Sequence, residues 1–275
     1  MTAHASHADK ALHSRRGIGL TANVLQYMDL RFSRIAVDRP ALILLKEGQK
    51  TFQAGSQRWV LRSGDAIAIA AGQTFDVTNQ LSDAGLFEAR WIVWDAALLD
   101  RHQQATLPKR HVAKAQLLKR IGSEFTGAID RAALALQHPA SIPDDVAAHR
   151  MTEALVWLSA LGVDFGIHRD ASTAFRLRRL FNGAVAQDWT VPAVAQQLAM
   201  SEATLRRKLA TEGASFSALL ADVRMSAAMT LLQSTHRSVA QIAQSVGYES
   251  ASRFAVRFRD RFGFAPTAVR GHRRD

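Results

Sequence analysis

The sequence predicts an α+β protein in which a β-rich N-terminal half is followed by helices. Three observations predict this fold class. Between about residues 23 and 95, short apolar segments are separated by glycine-containing turns, a pattern typical of sandwiches and barrels. From about 107 to 165, apolar residues recur every three or four positions, as they do on one face of a helix. After Ser172 the helical pattern continues, and polar caps and glycines divide it into short helices.

The charge of the chain is concentrated in its C-terminal part. The 275 residues carry a net charge of +11, and 48% of them are hydrophobic, which is the composition of a folded protein with a core. Residues 171–275 contain 15 Lys and Arg against 7 Asp and Glu, whereas residues 1–170 contain 20 against 17. The C-terminal excess consists mainly of arginine, which favours a polyanionic partner.

Residue types exclude several kinds of chemistry. With 0 cysteines, the chain forms no disulfide, thiol nucleophile or cysteine-ligated zinc site. Residues 14–101 contain no histidine, which excludes a histidine-based metal site in the β region, and we expect no cofactor. The N-terminus lacks a signal-peptide pattern and no apolar segment approaches the roughly 20 residues that span a bilayer. We therefore expect a soluble, cytoplasmic protein.

The pattern divides the chain into four parts. We predict a flexible tail over 1–18, a β domain with trailing helices over 19–165, a linker over 166–172 and a helical domain over 173–275. The two trailing helices are expected at Val112–Leu136 and up to about Leu161. The predicted strands are Ala41–Leu45, Lys50–Ala54, Arg58–Leu61, Ala66–Ala70, Thr74–Thr78 and Leu86–Val93.

The segment RSGDAIAIAAGQTFDV, residues 62–77, resembles the cupin β-barrel, in which a Gly-Asp turn precedes a buried strand and a second glycine follows it. Three roles remain open for this cupin-like barrel: a ligand pocket, a dimerisation surface, or a core filled with side chains. Trp59, Trp91 and Trp94 are candidates to line a pocket, although core packing is the commoner role of a tryptophan on a strand.

Residues 238–262 have the pattern of a helix-turn-helix. Ser238 and Gln241 form a capping box, and Gly247-Tyr248 end the first helix. In the second helix, phenylalanines recur every four residues on one face and arginines on the other: Phe254, Phe258 and Phe262 against Arg253, Arg257 and Arg261, with Arg259 beside them. Such a helix fits the major groove, although a basic helix on a solvated surface has the same pattern.

A second unit with the same order precedes it at residues 191–212. Thr190 caps its first helix, Ser201 caps its second, and Gly213 ends it. The two units are joined by an apolar-striped helix predicted over Phe216–Gln233, which would be roughly 27 Å long. Successive major grooves lie about 34 Å apart, so two units joined by such a helix suit DNA better than surface helices would.

The C-terminal region resembles the AraC/XylS family of bacterial transcription regulators over about 100 residues. The matching residues are Arg224, Ala228, Leu231 and Leu232 in the connecting helix, Ile242, Ala243, Gly247 and Tyr248 in the second unit, and Phe262, Gly263 and Pro266 after it. The cupin-like barrel with its trailing helices is similar to the family's effector or dimerisation domain.

The resemblance implies which residues contact DNA. In the first unit they are Ser201, Glu202, Ala203, Arg206 and Arg207, and in the second unit Ser250, Ala251, Ser252, Arg253 and Arg257. The family reads bases mainly with the first recognition helix, where Arg207 would pair with a guanine or hold a phosphate. Val256 stands where the family commonly has arginine, and Val269 where it has tyrosine. The second unit is therefore expected mainly to hold phosphates.

The resemblance implies a sequence-specific DNA-binding transcription regulator, an activator and not an enzyme. The expected partners are double-stranded DNA and RNA polymerase, with a homodimer and a small-molecule effector as further candidates and no membrane. The alternative is a cupin-type enzyme or small-molecule-binding protein with a basic helical C-terminal domain, which stoichiometric bound metal would favour. A third reading is a constitutive regulator whose barrel only dimerises.

Overall fold

The computed structural model describes residues 12–104, 111–165 and 172–270. Its N-terminal part is a cupin-like barrel of two antiparallel sheets, with strand orders β1-β2-β9-β4-β7-β10 and β3-β8-β5-β6. The strands are β1 Leu12–Arg15, β2 Gly19–Gln26, β3 Leu30–Val37, β4 Ala41–Glu47, β5 Gln49–Ala54, β6 Gln57–Arg62, β7 Ala66–Ile69, β8 Gln73–Gln80, β9 Phe87–Trp94 and β10 Ala115–Leu118.

The larger sheet separates two hydrophobic cores. Because successive strand residues point to opposite faces, Ile43 and Ile67 face the barrel interior while Leu42 and Ala66 face the helices outside it. All four side chains are at most 5% exposed. This two-sided burial explains why β4 and β7 are almost continuously apolar in sequence.

Three helices cover the outer face of the larger sheet: α1 Ala96–Gln104, α2 Ser123–Gln137 and α3 Asp144–Ala160. Small residues of α2, among them Ala128 and Ala132, are fully buried against this sheet and α3. Trp94, at the end of β9, donates a hydrogen bond from Nε1 to the carbonyl oxygen of Met151 on α3 at 3.0 Å. The helices are therefore an integral layer of the barrel domain.

The C-terminal part is helical, as the sequence predicts. Its helices are α4 Thr173–Gly183, α5 Val191–Gln197, α6 Glu202–Thr211, α7 Phe216–Ser234, α8 Val239–Ser245 and α9 Ala251–Phe262, followed by a short 3-10 helix at Pro266–Arg270. The predicted α+β class, with a cupin-like barrel and two helix-turn-helix units joined by a long helix, is confirmed.

The start of the chain differs from the sequence prediction. Residues 12–15 are not part of a flexible tail but form β1, which pairs with β2 across a turn at Gly17. Arg15 is buried and donates from Nη1 to the carbonyl oxygen of Ile142 at 2.7 Å and to Asp144 at 3.0 Å. The segment is ordered by these distant partners, which local sequence cannot reveal. Residues 1–11 of the predicted tail lie outside the described residues.

The first trailing helix is shorter than predicted. The expected helix from Val112 to Leu136 is replaced by β10 and α2, because β10 adds to the free edge of β7 and Gly122 separates it from the helix. Leu117 and Ile121, which are four residues apart, therefore do not lie on one helix. The second helix ends near Leu161 as predicted. The predicted linker lies outside the described residues, apart from Ser172, which caps α4.

No single described helix is long and apolar enough to span a membrane. One pair, α6 with α7, would qualify together by length and composition, but the two are bent by 70° at the break between them.

Candidate nucleic-acid interface

The first helix-turn-helix unit consists of α5 and α6. Thr190 and Ser201 cap the two helices as predicted, with side-chain oxygens that accept from the backbone N–H groups of Ala193 and Thr204. Ala199 has a φ of 52° in the turn between them. Val194 and Leu205 are fully buried in a core that the unit shares with α4 and α7. This core fixes which face of α6 remains outside.

The exposed face of α6 carries all five residues predicted for it: Ser201, Glu202, Ala203, Arg206 and Arg207. The side chain of Arg206 lies 3.6 Å from Glu202, one turn earlier, and both are well exposed. Such an exposed pair contributes little stability and is easily exchanged for another partner. Arg207 and Lys208 are also exposed, so α6 presents a positively charged surface.

The second unit consists of α8 and α9. The capping box predicted at its start is formed: Gln241 N–H donates to Ser238 Oγ at 3.1 Å, and Ser238 N–H donates to Gln241 Oε1 at 2.8 Å. Gly247, with a φ of +83°, makes the turn, and Gly263, with a φ of +85°, ends α9. Phe254 and the two phenylalanines that follow it at four-residue spacing are buried, as their spacing predicts.

The exposed start of α9 lines an open surface cleft together with the preceding turn. Ser252, Arg253 and Arg257 are exposed in this cleft, whereas Ser250 and Ala251 are half-buried. The hydroxyl of Ser250 accepts the backbone N–H of Arg253 at 3.3 Å, so it is already used as the cap of α9. Val256 is 53% exposed between the two arginines. The cleft thus has cations at its sides and an apolar residue at its centre.

One predicted feature of α9 is wrong. Arg261 continues the four-residue arginine spacing but is not displayed with Arg253 and Arg257. Its Nε donates to Asp222 on α7 at 3.0 Å, and its terminal nitrogens donate to the carbonyl oxygens of Ser33 at 2.9 Å and Arg34 at 2.5 Å. A bulge between Phe32 and Ile35 of β3 leaves these carbonyls free of the strand ladder.

Asp222 lies at the centre of a cluster of charges between the barrel and the helical domain. Besides Arg261, it accepts a hydrogen bond from Arg178 on α4 at 3.2 Å. Arg178 also lies 3.5 Å from Asp38 of the barrel, and Asn182 Nδ2 donates to Asp38 at 3.0 Å. We call Asp222, Arg261, Arg178 and Asp38 the interdomain cluster. It connects α4, α7 and α9 to the barrel.

The second unit and the barrel share one hydrophobic core. Phe32 of β3 contacts Phe264, which follows α9, with ring centroids 5.8 Å apart. The buried phenylalanines of α9 belong to the same cluster as the barrel interior, whereas the buried residues of the first unit form a separate cluster. The second unit is therefore attached to the barrel more directly than the first.

A cavity of about 310 Å³ lies between the barrel and α7. Most of its wall is apolar, including Phe32, Val77, Met229 and Leu231, and the side chain of Lys50 reaches it from β5. This lysine was not among the sequence predictions. The sequence could have indicated it, because Lys50 lies two residues before the inward-facing Phe52 and side chains two residues apart on a strand share one face.

Lys50 is only 3% exposed. Its Nζ donates to Asn79 Oδ1 at 2.6 Å and lies 5.1 to 5.9 Å from the ring centroids of Phe52, Phe87 and Trp91. Burial lowers the pKa of Lys50 to about 7. An ammonium has three donors, and one is used by Asn79. The site can therefore accept further oxygen ligands from a molecule in the cavity.

Comparison with known proteins identifies the helical domain. A helix-turn-helix domain family matches residues 194–272, which include both units. This match is consistent with the resemblance of the C-terminal region to the AraC/XylS family. Two proteins with curated descriptions are similar to the chain: GadX of Escherichia coli strain K12 is 37% identical over 92 residues, and YdeO of Shigella flexneri is 36% identical over 98. Both are described as HTH-type transcriptional regulators.

These sequence matches concern the C-terminal part alone. They cover 34% of this chain and 34% of GadX, and 36% of this chain and 38% of YdeO. The matched segment thus spans about a third of the length of either relative. The barrel domain lies outside the match.

The whole chain has the fold of ToxT from Vibrio cholerae. One ToxT structure superposes with a TM-score of 0.65, covering 91% of this chain and 97% of ToxT at 12% sequence identity. A second ToxT structure, with a bound unsaturated fatty acid, superposes with a TM-score of 0.63 at 11% identity and covers 90% of this chain and 94% of ToxT. At this identity the likeness establishes the fold of both domains.

Proposed function

We propose that this protein is a sequence-specific DNA-binding transcription regulator and has no catalytic role. The observation that carries the proposal is the pair of helix-turn-helix units, each with an exposed basic helix, on either side of α7. Residues 173–275 would bind DNA and residues 19–165 would sense an effector or dimerise. The descriptions of GadX and YdeO support this assignment, and a DNA-bound regulator would act in the cytoplasm.

The length of α7 supports simultaneous binding by both units. Its 19 residues span roughly 28 Å at 1.5 Å per residue. Successive major grooves on one face of DNA lie about 34 Å apart, and the width of the units themselves adds to the length of the helix. We infer that α6 and α9 enter successive major grooves.

The two units would contribute differently to DNA binding: the first would recognise bases and the second would contact phosphates. Arg207 on α6 would pair with a guanine edge, since arginine can donate two parallel hydrogen bonds to it. In the second unit, Arg253 and Arg257 flank the uncharged Val256 and would hold phosphates. Such contacts raise affinity and salt dependence without selecting a sequence.

In vitro selection tests the proposal directly. The full-length chain is incubated with random-sequence duplex DNA at about 150 mM salt, and bound DNA is amplified and sequenced over several rounds. We expect enrichment of a site with two short elements separated by about one helical turn. Enrichment of no sequence, or binding that competitor DNA of any sequence abolishes equally, would contradict the proposed function.

We further propose that the regulator activates transcription through contact with RNA polymerase. Transcripts are compared between a deletion strain and its parent, and the selected sites are located upstream of the affected genes. Activation predicts that transcripts next to these sites fall on deletion. A rise in those transcripts would instead establish repression.

A small-molecule effector with an apolar body and a carboxylate would fit the cavity between the barrel and α7. Lys50 supplies a cation with unused donors, and the cavity wall supplies apolar contacts. The volume is at the lower end of the range for small-molecule pockets. The fatty acid bound by ToxT, which has the same fold, supports this class of ligand.

Calorimetry with a matched pair of ligands tests the effector. Decanoate and decanol have chains of equal length, and only the acid can pair with Lys50. We expect decanoate to bind more tightly to the wild-type protein and Lys50→Met to abolish this preference. Equal binding of acid and alcohol by the wild type would exclude Lys50 as the anchor, and binding of neither would remove this class of effector.

A homodimer through the trailing helices is the remaining proposal for the barrel domain. Leu134 on α2 and Val156 on α3 are 47% and 55% exposed, which is unusual for large apolar residues. Sedimentation equilibrium of the wild type and of Leu134→Glu would measure the association. A wild-type monomer at micromolar concentration would contradict this proposal.

A further inference from the structure

Arg224, near the middle of α7, contacts the segment that leads into the first helix-turn-helix unit through its guanidinium. Its Nε donates to the carbonyl oxygen of Val185 at 3.3 Å, and its Nη2 donates to that of Gln187 at 2.9 Å. Both carbonyls belong to the segment that leaves α4 and enters α5. One side chain of the connecting helix thus fixes the entry to the first unit.

The same guanidinium covers the turn of the second unit. Its central carbon lies 5.9 Å from the ring centroid of Tyr248. A β-carbon on Gly247 would lie 2.7 Å from Nη2 of Arg224 and 2.8 Å from its central carbon, so any other residue there would displace the guanidinium. The positive φ of Gly247 gives a second reason for glycine there. Arg224 therefore contacts the segment before the first unit and the turn of the second unit at the same time.

We propose that Arg224 is the positioning residue that fixes the two recognition helices relative to each other, so that the protein selects DNA by the spacing of two half-sites as well as by their sequence. This inference rests on the proposed function. It gives a physical role to the arginine of the connecting-helix motif, which contributes to neither of the exposed faces of α6 and α9.

Arg224 lies where the cores of the two units meet. The buried residues of the two units form separate clusters, and Val185, whose carbonyl Arg224 binds, is a half-buried residue that packs against both. Asp222, two residues earlier on α7, connects α4 to α9, and Arg224 adds a connection that reaches the turn of the second unit. A planar guanidinium suits the role, because its donors are fixed in one plane whose face can also lie against an aromatic ring.

Lysine cannot replace arginine at this position. Its ammonium is a single point of charge, which cannot reach two carbonyl oxygens in fixed directions while it covers the tyrosine ring. Arg224→Lys preserves the charge and removes the bridge, whereas Arg224→Met removes both and keeps a long apolar stem. Arg58→Met is the matched control, since it removes one exposed positive charge from the barrel strand β6.

Duplexes that vary only in spacing provide the test. The site obtained by selection is synthesised with its two half-sites at the selected distance and displaced by one to about five base pairs, the latter being about half a helical turn. Two further duplexes keep one half-site and scramble the other. Affinities of the full-length wild type and of the three variants are measured for every duplex, and thermal unfolding is followed for each protein.

We expect the wild type and Arg58→Met to bind the selected spacing roughly tenfold more tightly than the half-turn displacement, because only matched geometry lets both units bind at once. For Arg224→Met and Arg224→Lys we expect this ratio to fall to about threefold or less, with affinity for the first half-site alone unchanged. The ratio would fall because the variants bind the selected spacing more weakly than the wild type does, while their affinity for displaced sites falls less.

Two results would overturn the inference. Retention of the full spacing preference by Arg224→Met would show that other contacts fix the two units. An equal loss on all duplexes, single half-sites included, together with a lowered unfolding temperature, would make Arg224 a folding residue and no more. A wild-type protein that binds every duplex alike is a separate outcome, which contradicts the proposed function itself.

Discussion

The Nε atom of Arg261, in the last turn of α9, lies 3.0 Å from Oδ1 of Asp222 on α7. The remaining guanidinium nitrogens of Arg261 donate to two barrel carbonyls, and Asp222 also accepts from Arg178. A single carboxylate thus accepts hydrogen bonds from α4, which precedes the first helix-turn-helix unit, and from α9 of the second unit, at the point where the helical domain meets the barrel. The side chains of Asp222, Arg178 and Arg261 are each less than one-fifth exposed.

Asp222→Asn is expected to destabilise the protein by about 2–4 kcal/mol, because it leaves partly buried guanidinium groups without their carboxylate. Chemical unfolding followed by tryptophan fluorescence measures the effect. The cluster joins two domains, so the loss should appear as earlier separation of the helical domain from the barrel. Limited proteolysis would then cleave the variant faster than the wild type.

Glu153→Gln is the control for this prediction. It removes a carboxylate from an ion pair with Arg131 in which both side chains are more than one-third exposed, and such pairs contribute at most about 1 kcal/mol. Equal destabilisation by the two substitutions would indicate a general loss of charge and not a special role of the interdomain cluster.

The pH dependence of stability should reveal the buried amine of Lys50. Its pKa is lowered by burial to about 7 in the folded protein from 10.5 in a free side chain. Between these values the unfolded chain binds more protons than the folded one, so stability rises with pH. The rise should approach about 1.4 kcal/mol per pH unit between pH 7 and pH 10.5.

Lys50→Met should remove this slope and be the more stable protein at pH 7 and below, where the wild type bears the full cost of burying the charge. The measurement is the free energy of unfolding at a series of pH values, and the difference between the two proteins isolates Lys50 from other titrating groups. A difference that does not change with pH would mean that Lys50 titrates normally.

Sequence alone predicted the elements whose determinants are local. The short apolar segments between glycine turns that form β4 to β9 are of this kind, and so are the caps Thr190, Ser201 and Ser238, and the structure confirms them. Strand β10 was missed because its residues fit a helix equally well until the free edge of β7 is present. Pairing with β7, which is distant in sequence, makes this segment a strand and not a helix.

The same distinction applies to the residues predicted to contact DNA. Exposure of Arg206, Arg207, Arg253 and Arg257 follows from the helical period and the apolar faces opposite them. Arg261 follows the same period, yet its side chain is not displayed with them, because it donates hydrogen bonds to partners 39 and 228 positions away. Only the assembled fold reveals its role, and the unused donors of Lys50 become visible in the same way.

Arg207→Ala and Arg257→Ala should have different effects on DNA binding. If Arg207 reads a base, its loss lowers affinity for the selected site by about 1–3 kcal/mol and leaves affinity for random DNA nearly unchanged. If Arg257 holds a phosphate, its loss lowers both affinities together and reduces the slope of log affinity against log salt by about one. Titrations at several salt concentrations separate the two. An equal loss on both kinds of DNA would exclude base reading by Arg207.

Val256→Arg should strengthen DNA binding by the second unit. Val256 is 53% exposed at the centre of the cleft between Arg253 and Arg257, so an arginine there has room and adds a cation to the cleft. Because arginine is also a better helix former than valine, the folded state should not be weakened.

We expect the salt slope of Val256→Arg to become steeper by about one and the affinity to rise for random and selected DNA alike. Repeating the selection with this variant tests whether the second unit also gains base reading, which would appear as a new preferred base in the second half-site. Val256→Lys is the matched control, because it adds the same charge without the paired donors that recognise guanine. An unchanged salt slope for both variants would place the exposed face of α9 outside the DNA interface.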